Sequence, residues 1–324
     1  MHPIEHLQEK IAASLSNLPI YREPAGLYEP ITYTLQQGGK RIRPLLTLIA
    51  TQMFGGNPDK ALPAATAIEI FHNFTLLHDD IIDQAPLRRG RDTVYKKWNI
   101  NTAILSGDTM FAVAYGQLAG SDPQQLPVLM QVFTKTAIEV CEGQQYDIDF
   151  ENAGDVTIDA YLNMIRLKTA VLLAASLKIG ALIGGASQKD AEAIYRFGEN
   201  MGIAFQLQDD LLDAFGDEAV FGKKTGGDII ANKKTYLYLK ALDCSSKENA
   251  AELKNWFLHR TGEPQAKIAA VLDLFNKAGV KQHAENMIQD YIQKAMSHLK
   301  TITPDEKARG PLLELLSGML KRNH

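Results

Sequence analysis

Apolar side chains recur about every 3.6 residues along most of the chain, and this periodicity constrains the fold more than any other feature. The alternation of apolar and polar residues that is typical of strands is nearly absent. Two segments, 160–185 and 188–215, are apolar on more than one face, which is typical of helices inside a bundle. We therefore predict an all-α fold, a single large bundle with long core helices. The predicted helices span approximately residues 3–16, 26–36, 41–53, 60–83, 101–119, 125–150, 158–185, 188–215, 233–243, 246–259, 265–278, 280–300 and 310–321.

The chain contains no segment that would divide it into two domains. Its 324 residues include no Ser/Gly run, no proline-rich spacer, no low-complexity tract and no long block of charge. We therefore predict one domain spanning residues 1–324. The net charge of −4 argues against a general affinity for nucleic acid, so any bound anion requires a local cluster of basic residues.

The cysteines and the apolar segments favour a cytoplasmic protein. Cys141 and Cys244 form neither a disulfide framework nor a zinc-binding spacing. The segment MHPIEHLQEKIAASL contains acids and lacks the apolar core of a signal peptide. The most apolar window, TAVLLAASLKIGALIGG, includes Lys178 and is too short to span a bilayer comfortably. We expect a buried bundle helix there and no stable membrane insertion.

Two aspartate-rich segments stand directly after apolar runs, LLHDDIIDQAPLRRG at 76–90 and FQLQDDLLDAFGD at 205–217. Residues i and i+4 lie on one face of a helix, so the first and last acids of each DDxxD point the same way. Like charges at this spacing repel one another and raise each other's pKa. The six carboxylates are Asp79, Asp80 and Asp83 in the first segment and Asp209, Asp210 and Asp213 in the second.

A hard divalent cation would relieve this repulsion. Magnesium takes oxygen ligands, accepts one or two carboxylates and completes its octahedron with water and substrate phosphates. Two facing triads would therefore make a clamp for several magnesium ions around one diphosphate. The alternative is that each triad is a solvated helix end, and this is less plausible for two triads than for one.

Basic residues are interleaved with the acids. GGKRIRP, at 38–44, places Lys40 and two arginines at a turn before a helix, where glycines allow close approach to an anion. Arg88 and Arg89 follow the first triad, and a Gly/Lys-rich segment, 221–235, follows the second. Each cation alone could be a surface charge, but Lys168 lies in the apolar run LNMIRLKTAVLL and is expected to face a polar cavity. The acidic residues could bind metal ions and the basic residues could bind phosphate groups. Together they predict a bound diphosphate.

His72 ends the motif EIFH, and Glu-x-x-His also occurs in di-iron bundles. Those proteins need two such motifs, and no other histidine in the sequence completes one. A di-iron centre is therefore disfavoured. A structural histidine in a buried helix remains the alternative to a phosphate-binding one.

These residues resemble the motifs of the trans-isoprenyl diphosphate synthases, which include farnesyl and geranylgeranyl diphosphate synthases. The motifs are GGKRIRP, the first DDxxD with its following RRG, the KT pair, and FQxxDDxxD. The resemblance runs from about GGKRIRP to GDIIANKKT, and the remaining chain fits in length and helical character. It implies an all-α bundle around a deep central cavity, usually assembled as a homodimer.

The resemblance also implies the reaction and the site residues. Family members join isopentenyl diphosphate to an allylic diphosphate that three magnesium ions bridge to the two triads. The implied direct metal ligands are Asp79, Asp83 and Asp209, and the implied supporting ligands are Asp80, Asp210 and Asp213. The implied residues for the allylic diphosphate are Arg88, Lys168 and Lys233, joined by Lys223. The implied residues for isopentenyl diphosphate are Lys40, Arg43, His72 and Arg89. Thr169 and Gln206 are the implied polar groups near the reacting carbons.

The implied chemistry begins with ionisation of the allylic carbon–oxygen bond, because cations stabilise the departing diphosphate. An apolar wall keeps water from the resulting allylic cation. The isopentenyl double bond attacks, and a proton is then lost. No side chain is an obvious base, so the released diphosphate is the hypothetical acceptor.

Chain length is expected to be set on the helix that carries Asp79. In the family, a bulky residue five positions before the first triad forms the floor of the cavity, and Phe74 stands there. Thr75 is small and lies one turn below Asp79, with Phe71 a further turn down. We predict a product of about fifteen to twenty carbons from this resemblance, and the alternative is that Phe74 is ordinary core.

Three other functions are less well supported. A class I terpene cyclase normally has an Asn/Ser/Glu-based second metal motif, and a squalene- or phytoene-type synthase would lack GGKRIRP. A non-catalytic subunit of a heteromeric synthase usually loses acids from one triad, and both triads are intact. Lys321 and Arg322, near the end of the sequence, either close over isopentenyl diphosphate or belong to a solvated tail.

Overall fold

The computed structural model describes residues 3–20, 22–216, 225–258 and 263–320. Helices account for nearly all regular structure in these ranges, so the all-α prediction is confirmed. The α-helices are α1 Pro3–Ser16, α2 Ala25–Gln36, α3 Ile42–Met53, α4 Leu62–Ile82, α5 Val94–Lys97, α6 Ile100–Leu118, α7 Leu126–Asn152, α8 Ile158–Ile165, α9 Val171–Ile183, α10 Gln188–Phe215, α11 Gly227–Ile230, α12 Tyr236–Cys244, α13 Lys247–Leu258, α14 Pro264–Lys277, α15 Val280–Leu299 and α16 Glu306–Leu320.

Four helix predictions need correction. The predicted helix 158–185 is divided by a π-helical turn, Arg166–Ala170, and the helix predicted at 60–83 begins with a separate 3-10 turn, Pro58–Ala61. The helix predicted at 233–243 starts at Tyr236, so Lys233 precedes it. The last helix starts at Glu306 rather than 310, and it continues past Pro311, which lies inside it.

A small hairpin after α4 was not predicted. Strand β1, Leu87–Arg88, pairs antiparallel with β2, Arg91–Asp92. Arg89 and Gly90 form the turn, with φ of 52° and 74°. Positive φ at both central residues matches the twist of a tight hairpin. Two-residue strands are too short to produce a detectable alternation in the sequence.

The chain divides into two compact units. The first comprises residues 1–134, 175–192 and 303–312, and the second comprises 135–174, 193–302 and 313–324. In the first unit, Phe71 contacts the rings of Phe74, Phe111 and Phe133 with centroids 5.5 to 6.0 Å apart. These aromatic contacts join α4 to α6 and α7 within that unit.

The second unit packs its helices closely around the π-helical turn. A Cβ atom on Gly143 of α7 would lie 2.6 Å from the Lys168 Cα atom. A Cβ atom on Gly202 of α10 would lie 2.6 Å from the Ala170 Cα atom. Because both positions are glycine, the two helices contact the backbone of the turn directly. In the part of the chain that the structure describes, no helix combines the length and apolar character needed to cross a bilayer.

Candidate functional site

The first aspartate cluster ends α4 in the first unit. Asp79 and Asp80 lie in the last turn, and the backbone N–H of Asp83 donates to the Asp79 carbonyl at 2.8 Å. Asp80 is buried, Asp79 is partly buried and Asp83 is exposed. The three carboxylates therefore have the predicted register but different access to solvent.

The hairpin supplies a guanidinium to this cluster. Arg88 Nε donates to Asp80 Oδ1 at 2.7 Å. Burial raises the pKa of Asp80, and the neighbouring Arg88 offsets part of this effect. The middle carboxylate of the first triad is thus an ion-paired group that holds the hairpin against the end of α4.

The GGKRIRP segment forms a strained junction before α3. Gly38, Gly39 and Arg41 have φ of 76°, 129° and 47°. Arg89 donates to the Gly38 carbonyl, and a Cβ atom on Gly39 would lie 2.8 Å from the guanidinium carbon of Arg89. Gly39 is required by its φ, whereas the Arg89 guanidinium ends a flexible side chain and could shift away from a Cβ atom. The exposed Lys40 lies in the same junction.

Arg43 and His72 lie together behind this junction. Arg43 Nη1 is 3.2 Å from His72 Nε2. Burial, followed by the charges of Arg43, Arg89 and Arg88, lowers the pKa of His72 well below its usual value. Because a guanidinium only donates, the neutral His72 accepts through Nε2 and carries its proton on Nδ1. Glu69 balances these cations, and burial raises the pKa of its carboxyl group.

The second aspartate cluster borders a cleft in the second unit with an empty volume of about 640 Å³, including its open mouth. The predicted residues that line the cleft are Lys168, Thr169, Gln206, Asp210 and Lys233. Four carboxylates and three lysines face it in all. The unpredicted charged residues of the lining are Asp147, Glu151, Asp228 and Lys234.

Asp210 is the hub of a hydrogen-bonded chain in this cleft. Tyr161 donates to its Oδ2, and Gln206 Nε2 donates to its Oδ1 at 3.2 Å. Thr169 Oγ1 donates to Gln206 Oε1 at 3.3 Å. Burial, with the neighbouring charge of Asp228, raises the pKa of Asp210 to about 8.

Lys168 and Thr169 are presented by the π-helical turn, a conformation that occurs frequently at functional sites. Lys168 Nζ donates to Asp147 Oδ2 at 2.5 Å. Arg166, in the same turn, bonds Asn163 and Glu199. The turn is therefore held on both sides by charged contacts.

The short helix α11 brings a further acid, Asp228, to the cleft. The backbone N–H of Asp228 donates to Asp213 Oδ2 at 2.9 Å. Burial and the charge of Asp213 raise the pKa of Asp228 to about 6, and Lys233 offsets part of this shift. Lys234 instead donates to the carbonyls of Phe150, Glu151 and Ala153, so it caps the end of α7.

These residues fit magnesium held together with a phosphate-bearing ligand. Burial and neighbouring carboxylates raise the pKa of Asp210 and of Asp228, so an added cation would stabilise this set of oxygen donors. Among the described residues, no three His, Cys, Asp or Glu side chains converge closely enough to hold a metal ion. Magnesium accepts one or two carboxylates when water and phosphate complete its octahedron.

Not every predicted residue can be placed. Lys223, Lys321 and Arg322 lie outside the described residues. Asp228 lies inside the Gly/Lys-rich segment, so that signal could have found it. Tyr161 and Asp147 lie in ordinary helical patterns that do not mark them.

The predicted chain-length residues lie in the aromatic cluster of the first unit. Phe71 is fully buried, and Phe74 is 9 % exposed. The Phe74 ring has its centroid 5.3 Å from Phe111 and 4.8 Å from His78. Thr75 Oγ1 donates to the His72 carbonyl at 2.8 Å, one turn before it.

Residues 24–275 match the family model described as polyprenyl synthetase. The chain is 36% identical to a geranylgeranyl diphosphate synthase of Methanosarcina mazei, across 99% of this chain and 97% of that protein. It is 32% identical to a geranylfarnesyl diphosphate synthase of Natronomonas pharaonis, across the full length of both. A crystal structure of a geranylgeranyl pyrophosphate synthase superposes with a TM-score of 0.94 at 44% identity, covering 100% of both chains.

The motifs, the all-α architecture and these similarities agree with one another. The predicted isoprenoid synthase type of fold is confirmed. The chain therefore belongs to the polyprenyl synthetase family, the trans-isoprenyl diphosphate synthases, which are prenyltransferases that elongate prenyl chains.

Proposed function

We propose that the chain catalyses head-to-tail condensation of isopentenyl diphosphate with an allylic diphosphate to give an all-trans prenyl diphosphate. The observation that carries this proposal is the cleft, where Lys168, Thr169, Gln206, Asp210 and Lys233 lie together. Its acidic side chains offset the charges of its three lysines, so the cleft has little net positive charge to attract a bare diphosphate. A diphosphate that arrives with magnesium would be bound.

The proposed magnesium ligands are Asp79, Asp83 and Asp209, supported by Asp80, Asp210 and Asp213. Three magnesium ions are proposed with the allylic diphosphate bound. Magnesium on these carboxylates would neutralise the leaving diphosphate. The proposed basic residues on the same diphosphate are Arg88, Lys168, Lys233 and Lys223.

The chain's own groups act around the allylic carbon–oxygen bond. Lys168 and Lys233 would stabilise the negative charge that develops on the leaving oxygens. Met164 and Ile165 line the cleft and would exclude water from the allylic cation. The isopentenyl double bond then attacks, and the released diphosphate accepts the proton. Loss of proton transfer without loss of ionisation in a Lys168 or Thr169 variant would contradict this last step.

Isopentenyl diphosphate is proposed to bind at Lys40, Arg43, His72 and Arg89. His72 supports this role because its neutral ring accepts from Arg43 and leaves the Nδ1–H as a donor. A neutral donor beside arginines binds a phosphate oxygen without adding a charge that must be buried.

Product length is proposed to be about fifteen to twenty carbons, with Phe74 as the floor above Phe71 and beside Thr75. Phe74→Ala should lengthen the longest product, because it removes a ring from the aromatic cluster. Products would be resolved by chromatography after incubation with labelled isopentenyl diphosphate. Phe133→Ala is the matched control, since it removes a buried ring of the same cluster. An unchanged product distribution in Phe74→Ala would show that Phe74 does not form the floor of the cavity and does not limit product length.

The function is tested by incubating purified protein with magnesium, labelled isopentenyl diphosphate and dimethylallyl, geranyl or farnesyl diphosphate. Elongated prenyl diphosphates are expected, and they should disappear when magnesium is chelated. Hydrocarbon with diphosphate release and no isopentenyl incorporation would instead identify a terpene cyclase. No turnover with any starter would identify a subunit that needs a partner.

We also propose that residues 1–324 work as one domain, in the cytoplasm, as a homodimer. The exposed side chains of Ile104 and Leu105 on α6 support an apolar contact with a second copy. Light scattering after size exclusion would give twice the monomer mass of 35.8 kDa.

A further inference from the structure

Four side chains of the second unit form one hydrogen-bonded chain in which the donors on both sides point towards Asp210. Tyr161 donates to Asp210, Gln206 donates to the other oxygen of Asp210, and Thr169 donates to Gln206. All four residues line the cleft. The chain thus links a buried tyrosine of α8 to the threonine of the π-helical turn.

Asp210 differs from its neighbour Asp213 in the same triad. It is 4 % exposed, and both of its oxygens accept from side chains. Asp213 is only partly buried and accepts a backbone N–H from Asp228. Because side chains donate to both oxygens of Asp210, its carboxylate has a fixed orientation in the cleft.

The direction of the chain follows from what each group can donate. The amide nitrogen of Gln206 lies 3.2 Å from Asp210 Oδ1, and its carbonyl oxygen lies 3.3 Å from Thr169 Oγ1. A carbonyl oxygen only accepts, so Thr169 must be the donor in the second contact. The Thr169 hydroxyl proton is thereby directed to Gln206, which leaves the oxygen lone pairs for the cleft.

We propose that Tyr161 is a positioning residue that, through Asp210 and Gln206, directs the hydroxyl oxygen of Thr169 towards the reacting carbons. A lone pair stabilises positive charge that develops during ionisation, whereas a reversed hydroxyl would present its proton. The inference rests on the proposed function, because it requires an allylic cation beside Thr169. Neither the sequence motifs nor the similarities to relatives assign a role to Tyr161.

The test compares Tyr161→Phe with Tyr238→Phe in the full-length protein at saturating magnesium. Both substitutions remove one hydroxyl from a buried tyrosine of the same core, and only Tyr161 contacts Asp210. Tyr161→Phe should lower kcat about tenfold, as expected for loss of a buried hydrogen bond that orients the chain, with KM for both diphosphates within about twofold. Tyr238→Phe should leave both constants within about twofold.

A double-mutant cycle with Gln206→Leu then tests whether Tyr161 acts through Gln206. Tyr161→Phe should have little further effect on kcat in the Gln206→Leu background, because the orienting chain is already broken. Independent, multiplicative effects would overturn the inference, as would an unchanged kcat in Tyr161→Phe.

Binding of magnesium with inorganic diphosphate, measured by calorimetry, provides a readout that does not depend on turnover. Tyr161→Phe should bind this pair as the parent protein does, and a parallel loss of binding would mean that Tyr161 serves binding instead. If the parent protein elongates no starter, the proposed function fails. If it elongates normally and Tyr161→Phe matches it, only the inference fails.

Discussion

The two aspartate clusters share one spacing but hold their middle carboxylates differently. Asp80, at the end of α4, accepts from the guanidinium of Arg88. Asp210, in α10, accepts from a phenol and an amide, those of Tyr161 and Gln206, and both donors are neutral. The same DDxxD pattern is therefore combined with an ion pair in the first unit and with neutral dipoles in the second. A charge pattern in sequence does not reveal which arrangement a cluster adopts.

The clusters also differ in how far apart their parts lie in the chain. Arg88 follows Asp80 by eight residues, and the hairpin alone brings them together. The second cluster draws Asp147, Tyr161, Asp210 and Asp228 from four separate segments to one cleft. The second arrangement therefore depends more on helix packing than the first.

Among the substitutions considered, Gly143→Ala should cause the largest loss in the free energy of unfolding. It tests whether the second cluster depends on close helix packing. The added methyl group would overlap the backbone of Lys168, so α7 or the π-helical turn must move. We expect a loss of about 3 kcal/mol in the free energy of unfolding, together with reduced elongation activity. Urea titration and the elongation assay measure the two effects.

Gly116→Ala is the control for that substitution. Gly116 also lies within a helix, α6, and a Cβ atom there would meet nothing within 4 Å. This variant should gain about 0.5 kcal/mol, because alanine favours the helix. Equal losses in the two alanine variants would show that packing against Lys168 is unimportant.

Arg88→Ala should destabilise the first cluster by about 2 kcal/mol, because it leaves the buried carboxylate of Asp80 without its ion pair. The partial exposure of Arg88 keeps the effect below that of a fully buried pair. Adding Asp80→Asn to Arg88→Ala should recover much of the loss in urea unfolding. No recovery in the double variant would argue that Arg88 acts by packing alone.

Asp210→Asn should increase the free energy of unfolding of the metal-free protein, by less than Arg88→Ala decreases it. The folded pKa of Asp210, about 8, lies above its ordinary value of 3.8, so the native state holds the proton more tightly. This contribution to stability is complete below about pH 4 and is lost as pH rises towards and through 8. Asparagine carries no titrating charge, and we expect Asp210→Asn to exceed the parent by about 1 kcal/mol at pH 8.

Unfolding measured from pH 5 to pH 8 without metal would show this advantage growing with pH. A weaker hydrogen bond to Gln206 limits the gain, because an asparagine amide has one acceptor oxygen. Asp80→Asn should show no such gain, since it leaves Arg88 without its acceptor. An equal gain in stability in Asp210→Asn and Asp80→Asn would show that the middle carboxylates of the two clusters do not differ in the way described.

The local parts of the fold could be predicted from the chain itself. The helix pattern, the two DDxxD registers and the basic segment before α3 depend on side-chain periodicity and spacing. The cleft of the second unit contains five of the residues predicted for the site. The hairpin was missed because its strands are too short, and the π-helical turn was missed because it continues the apolar pattern of its flanking helices.

The sequence by itself determined the helical class, the family and the residue types available for metal and phosphate. These follow from periodicity and motif spacing, which act over one or two helical turns. Only the tertiary structure decided which side chains hold these groups. Tyr161 and Gln206 each donate to one oxygen of Asp210, and Lys168 pairs with Asp147. Lys234 donates to carbonyls at the end of α7. Such pairings join residues far apart in the chain, and they depend on close contacts such as that of Gly143 with Lys168, which no local pattern encodes.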